Sequence, residues 1–174
     1  VLSNKLFEKF RNLNVQNGHL VSIPVSAENI EFSLKKTPSN KFRFVYSGSY
    51  GNKDGIEFLL EAFAKFQSGH NDCELVLAGN VPAHLGNSIK NNSSIVIAGL
   101  ISSGNYYQFI QNADGLMVTR PNSGYANLGF PFKLGEYLAT GNAVIATKVS
   151  DIGKYLIDKE DIILAEPSNA ESLK

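Results

Sequence analysis

The sequence contains no tryptophan, one methionine and one cysteine, and its formal charges cancel to a net of +0. The shortages of cysteine and of net charge each remove a class of function. A single thiol, Cys73, can close no internal disulfide and build no cysteine-rich metal site, which makes a reducing, cytoplasmic compartment the expectation. Cys73 itself, at the start of a candidate strand, reads as a small buried residue. With no excess of positive charge, the chain lacks the electrostatic footprint of a nucleic-acid binder. No apolar run approaches the roughly 18 residues of a membrane-spanning helix, and the first residues lack the pattern of a signal peptide. His19, His70 and His84 have no metal-ligand spacing and no Asp-x-Asp follows a candidate strand, so no metal site is expected.

What is present is ordinary globular material. The 174 residues are 43% hydrophobic and 18% charged, enough for one domain with a proper core. Charge is unevenly placed: residues 1–43 carry seven Lys or Arg against three Glu, and the remainder carries nine against thirteen acidic residues. A basic first segment suits an anionic lipid surface or a neighbouring domain, although scattered charges are also what a solvated face carries. The chain begins Val-Leu and stops at Glu171-Ser172-Leu173-Lys174, inside what reads as a helix, so it reads as part of a longer protein.

Strand and helix patterns alternate with short breaks, which predicts βαβ units around a mainly parallel sheet. Strands are expected at Phe42 to Tyr46, Glu74 to Ala78, Ser94 to Ala98, Gly115 to Thr119, Ala143 to Ala146 and Ile162 to Leu164. Helices are expected at Gly55 to Phe66, Ala83 to Lys90, Asn105 to Ala113, Lys133 to Ala139 and Ile152 to Ile157. Short apolar runs such as LVLA, IVIA and AVIA suit a sheet buried on both faces, and right-handed crossovers then give a doubly wound, Rossmann-like α/β fold. Residues 1–40, with a short helix (Lys5 to Leu13), a strand (Leu20 to Pro24) and a polar stretch, read as a lead-in and linker to a domain over 41–174.

Ligands of such sheets bind beyond the carboxyl ends of the strands, where loops meet helix starts. Three loops qualify. In the first, Ser47 to Gly55, glycines let backbone amides approach an anion, although a tight turn with one surface lysine would look the same. It is neither GxGxxG nor GxxxxGK[ST]. The next strand ends at Gly79-Asn80 and lacks the acidic residue that holds a nicotinamide ribose, which argues against a dehydrogenase. The second runs from Thr119 to Phe132 into a helix bearing Lys133 and Glu136, which share one face near its start. A glutamate there can accept hydrogen bonds from a vicinal diol and a lysine can neutralise a diphosphate, or the two form a surface ion pair worth about 0.3 kcal/mol. The third, Gly99-Leu100-Ile101, has backbone groups that could read a base edge. Tyr106, Tyr107 and Phe109 read as core packing.

Taken together, these segments resemble the C-terminal domain of family 4 glycosyltransferases of the GT-B fold. FVYSGSYGNKDGIEFLLEAF resembles its opening, IVIAGLISSGNYYQFIQNADGLMVTRPN its next strand–helix–strand, and LVSIPVSAENIEF the stretch that joins the two domains. FPFKLGEYLATGNAVIAT resembles the hallmark of the branch that makes bacterial surface polysaccharides. The resemblance implies a domain that binds a nucleotide-diphosphate sugar, paired with an N-terminal acceptor-binding domain, with transfer in the cleft between them. It also implies retention of configuration and no metal or other cofactor. The setting implied is cytoplasmic, with room for association at the inner face of the membrane.

Carried over by position, Glu136 would bind the ribose hydroxyls, and Lys53 and Lys133 would face the diphosphate near Gly48 and Ser49. Leu100 would contact the base, and amides of Leu128, Gly129, Phe130 and Phe132 would wrap the sugar and phosphates. Two departures stand out. Many family members have a second glutamate eight residues before the first, where this chain has Leu128, and a basic residue where it has Ser49. A nucleotide-sugar epimerase of GT-B architecture and a non-catalytic binding domain are the alternatives. The first would need acids and basic residues not found here, and the second would read the two departures as decay.

Overall fold

The computed structural model describes residues 1–13, 19–23, 25–27 and 36–174. Its centre is a six-stranded, wholly parallel sheet of β1 (Phe42–Ser47), β2 (Cys73–Ala78), β3 (Ile95–Gly99), β4 (Gly115–Val118), β5 (Ala143–Thr147) and β6 (Ile163–Ala165). The order is β3-β2-β1-β4-β5-β6, so the winding reverses between β1 and β4. This is the expected doubly wound, Rossmann-like arrangement, and the reversal opens a crevice at the carboxyl ends of those two strands.

Alternation along each strand divides the core. Val45, Val76, Leu116, Val144 and Ala146 point to the face covered by α4 (Ser103–Gln111), α5 (Phe132–Ala139) and α6 (Ile152–Tyr155). Tyr46, Leu75, Leu77 and Met117 point to the other face, covered by α2 (Ile56–Gln67) and α3 (Gly86–Lys90). Helix α2 buries Ile56, Leu59, Leu60 and Phe63 at helical spacing, each worth about 1.5–3 kcal/mol of burial. Cys73 is buried at the first position of β2, where its thiol donates to the His70 carbonyl at 3.1 Å.

Several boundaries differ from the sequence expectation. The helix expected over Ala83 to Lys90 is a 3-10 turn, Ala83–Leu85, followed by α3, with the junction at Gly86. Helix α6 stops at Tyr155, and α7 (Ala170–Leu173) closes the chain. Leu20 to Ile23 form no strand; the backbone there bonds instead to Val1, whose amino group donates to the Val21 carbonyl at 2.7 Å. Pro24, the last residue of that expected strand, lies outside the described residues.

The lead-in helix α1 (Asn4–Arg11) is tied to the body at its start. Ser3 caps it, accepting from the Leu6 amide, and donates its hydroxyl to the Leu128 carbonyl at 2.5 Å. The Asn4 amide donates to Asp151 at 2.5 Å.

Candidate functional site

The site is built at the winding reversal. Strand β1 ends at Ser47, and Gly48 turns the chain out of the sheet at φ +145°. The loop then folds around one buried carboxylate. Asp54 accepts from the Ser49 hydroxyl at 2.7 Å, the Gly51 amide at 3.1 Å and the Lys53 ammonium at 2.6 Å. Burial pushes the Asp54 carboxyl upward, but the hydrogen bonds from Lys53 and Ser49 outweigh it and hold the group below the usual carboxylate range. The Thr119 hydroxyl, just past β4, donates to the Asp54 carbonyl at 2.9 Å and locks this loop to the neighbouring strand.

Helix α5 enters from the other side of the crevice. Pro131 precedes it and no side chain caps it, so its first turn presents backbone N–H groups to the site. Lys133 and Glu136 share one face but do not pair with each other. The Lys133 ammonium sits 4.0 Å from the centre of the Tyr46 ring. Burial, aided by Lys53 and Arg120 and opposed by Asp54 and Glu136, pushes its pKa down to about 7. Glu136 accepts from the Tyr106 hydroxyl at 3.1 Å. Arg120 reaches across the loop after β4 and donates to the Gly129 carbonyl at 2.9 Å and more weakly to that of Ala126 at 3.4 Å.

These groups line one cavity of about 480 Å³, within the range of small-molecule sites. Its walls bring together Gly48, Ser49, Lys53, Leu100, Phe132, Lys133 and Glu136, seven of the ten positions singled out in the sequence. Leu100 is 82% exposed at the tip of the β3 loop. The other three stand outside the cavity lining. Leu128 donates its amide to the Tyr125 carbonyl and its own carbonyl is held by Ser3. The Gly129 carbonyl is held by Arg120, and Phe130 is buried edge-on against Tyr155.

Sequence reasoning missed Asp54, Arg120 and Tyr106, all of which line the same cavity. Asp54 and Arg120 lie within two of the loops singled out in the sequence, but neither was assigned a role there. Tyr106 does pack against the core as expected, but its hydroxyl faces the site.

The chemistry of the cavity is lopsided. Lys53, Arg120 and Lys133 converge with one free helix start, against Asp54, which is consumed by the loop, and Glu136. Such a wall suits an anion beside a hydroxyl-rich group. A family model described as glycosyl transferases group 1 matches residues 41–174. The chain belongs to the group 1 glycosyl transferases.

No curated protein matches this glycosyl transferase by sequence. Solved structures match it in fold. A point mutant of S. aureus TarM, solved with fondaparinux, alpha-GlcNAc-glycerol and UDP, superposes with a TM-score of 0.75 at 12% identity, over 99% of this chain and 34% of its own. Anabaena Alr3699/HepE with UDP-glucose gives a TM-score of 0.63 at 14% identity, over 98% of this chain and 41% of its own. The C-terminal domain of a glycosyl transferase group 1 family protein (LpcC) from Francisella tularensis gives 0.63 at 20% identity, over 76% and 71%. This chain therefore spans well under half of the first two. No helix among the described residues is long and apolar enough to cross a membrane.

Proposed function

We propose that this chain is the donor half of a cytoplasmic sugar transferase that moves a sugar from a nucleotide diphosphate to an acceptor held by a separate N-terminal domain. The observation that carries the reading is the convergence of Lys53, Arg120 and Lys133 with Glu136 on one cavity at the winding reversal. Breaking a glycosyl–phosphate bond leaves negative charge on the diphosphate. Fixed cations and helix-start amides stabilise that charge most where water is excluded. Lys53 and Lys133 face the diphosphate in this reading, Glu136 binds the ribose hydroxyls, and the Leu100 loop contacts the base. Relatives of the same fold that were solved with UDP or UDP-glucose support a uridine nucleotide as the first ligand to try.

The reaction class that follows from the family resemblance is a retaining transfer with no cofactor beyond the donor, serving polysaccharide or glycolipid synthesis near the inner face of a membrane. The family's second glutamate is replaced by Leu128, so contacts to the donor sugar come from backbone and from Phe132 rather than a carboxylate. Calorimetric titration with UDP, GDP and ADP tests the reading directly. Glu136→Ala should weaken the best of them roughly tenfold, about 1.4 kcal/mol. Unchanged affinity would remove Glu136 from the site, and failure of all three nucleotides to bind would favour a scaffold without a ligand.

A further inference from the structure

Glu136 is held in place by a one-way run of hydroxyls that starts in the core. The Ser47 amide, at the end of β1, donates to the Tyr137 hydroxyl at 3.1 Å. Tyr137, wholly buried, has its hydroxyl within donating reach of both Ser47 Oγ, at 3.3 Å, and the Ser47 carbonyl, at 3.4 Å. Ser47 Oγ lies 3.2 Å from the Tyr106 hydroxyl, and Tyr106 lies 3.1 Å from Glu136 Oε2. Each hydroxyl has one proton, which fixes the direction of the last two links. Tyr106 spends its proton on the carboxylate, and Ser47 must then donate to Tyr106. Such chains polarise one another, and this one ends on an acceptor oxygen at the cavity wall.

Both phenols stay protonated under all physiological conditions. Burial raises Tyr106 well above its ordinary value and raises Tyr137 to about 12. They act as fixed donors. A carboxylate has about four acceptor positions on its two oxygens; Tyr106 fills one, fixes the rotation of the group, and leaves enough for two neighbouring hydroxyls.

We infer that Tyr106 is a positioning residue for ribose recognition, its hydroxyl setting the Glu136 carboxylate so that this site prefers a ribonucleoside diphosphate to its 2′-deoxy form. The inference rests on the proposed role of Glu136 and goes beyond it, because it assigns the discrimination to a second residue on another helix. A tyrosine that merely packed would, when altered, weaken both nucleotides equally. One that orients the carboxylate controls their ratio.

The test is the affinity ratio between the tightest-binding of UDP, GDP and ADP and its 2′-deoxy counterpart, measured by calorimetry on the chain and three variants. The unaltered chain should prefer the ribonucleotide about tenfold. Tyr106→Phe keeps the ring and its edge contact with Tyr107, and should cut the preference to threefold or less. Ser47→Ala, which removes the donor behind Tyr106, should lower it in the same direction. Glu136→Gln should abolish it, and Tyr106→Phe should change nothing further in that background. If the unaltered chain shows a preference and Tyr106→Phe retains it in full, the inference falls while the role of Glu136 stands. If the unaltered chain binds no nucleotide or shows no preference, the role of Glu136 falls and the inference with it.

Discussion

The ammonium of Lys133 lies 4.0 Å from the centre of the Tyr46 ring, and a β-carbon added to Gly48 would meet it at 2.6 Å. An aromatic face and a bare backbone thus confine one cation from two sides. Tyr46 is itself fixed, donating its hydroxyl to the Ser49 carbonyl. The confinement desolvates the lysine and holds its pKa at about 7, so near neutral pH only part of the population carries the charge.

A bound diphosphate restores the charge, and proton uptake should accompany binding. The affinity for UDP-glucose should fall about tenfold between pH 7 and 8.5 as the free lysine loses its proton. Calorimetry in two buffers of different ionisation heat reads the uptake directly, and its absence would place Lys133 away from the phosphates. The stability effect has the opposite sense. A lysine whose folded pKa lies below its unfolded value of about 10.4 weakens the fold at neutral pH, and that penalty is relieved as pH rises from 7 toward 10. Lys133→Met should therefore raise stability at pH 7 by about 1 kcal/mol, roughly 3 °C in melting temperature, while losing affinity.

Two glycines beside the site should behave differently. At Gly55, which starts α2 at φ +65°, an added β-carbon would sit 2.0 Å from the Thr119 carbonyl oxygen. That oxygen belongs to backbone and cannot move aside. Gly55→Ala should cost about 3 kcal/mol or more in urea unfolding. At Gly48 the obstacle is the flexible end of Lys133, so Gly48→Ala should cost only about 1–2 kcal/mol but displace the ammonium. Its main effect should be a fivefold or greater loss of UDP-glucose affinity, about 1 kcal/mol. Equal stability losses in the two variants would contradict this assignment.

Asp54 organises the loop rather than the ligand. Its folded pKa lies below the unfolded value of about 3.9, so its contribution is fully present above that value and is lost as pH falls through the folded pKa. Asp54→Asn should remove about 2 kcal/mol at neutral pH and flatten the acid limb of a stability–pH curve below pH 4. An unchanged acid limb would show that the carboxylate is not what holds Ser49, Gly51 and Lys53.

Leu128→Ala offers a negative control. Its amide and carbonyl are already bonded to Tyr125 and Ser3, and its side chain stands outside the cavity lining. Nucleotide affinity should stay within about twofold, 0.4 kcal/mol. A tenfold loss in titration would return Leu128 to the site.

The strands were legible because a parallel sheet is built from short apolar runs, and LVLA, IVIA and AVIA have no competing period. The expected burial on both faces fails at β3, an edge strand that leaves Val96 and Ile97 exposed. The crevice followed from topology, and Lys133 and Glu136 from their spacing on a helix. What escaped were residues whose meaning depends on a partner far along the chain. Tyr106 acquires its role only when α4 packs beside α5 and its hydroxyl meets Glu136, thirty positions away. Arg120 is defined by the Gly129 and Ala126 carbonyls it holds, and no local pattern marks that use. The expected strand failed over residues 20–23 for a related reason. Its apolar residues suited a strand, but Val21 and Ile23 bond to the Val1 backbone instead of joining the sheet.

The grip of Ser3 on the Leu128 carbonyl anchors the start of the first helix to the loop that precedes α5. Leu128 adjoins Gly129, whose carbonyl is clasped by Arg120, and Arg120 is part of the cavity wall. Two hydrogen bonds and one peptide unit thus connect the start of α1 to the wall of the pocket.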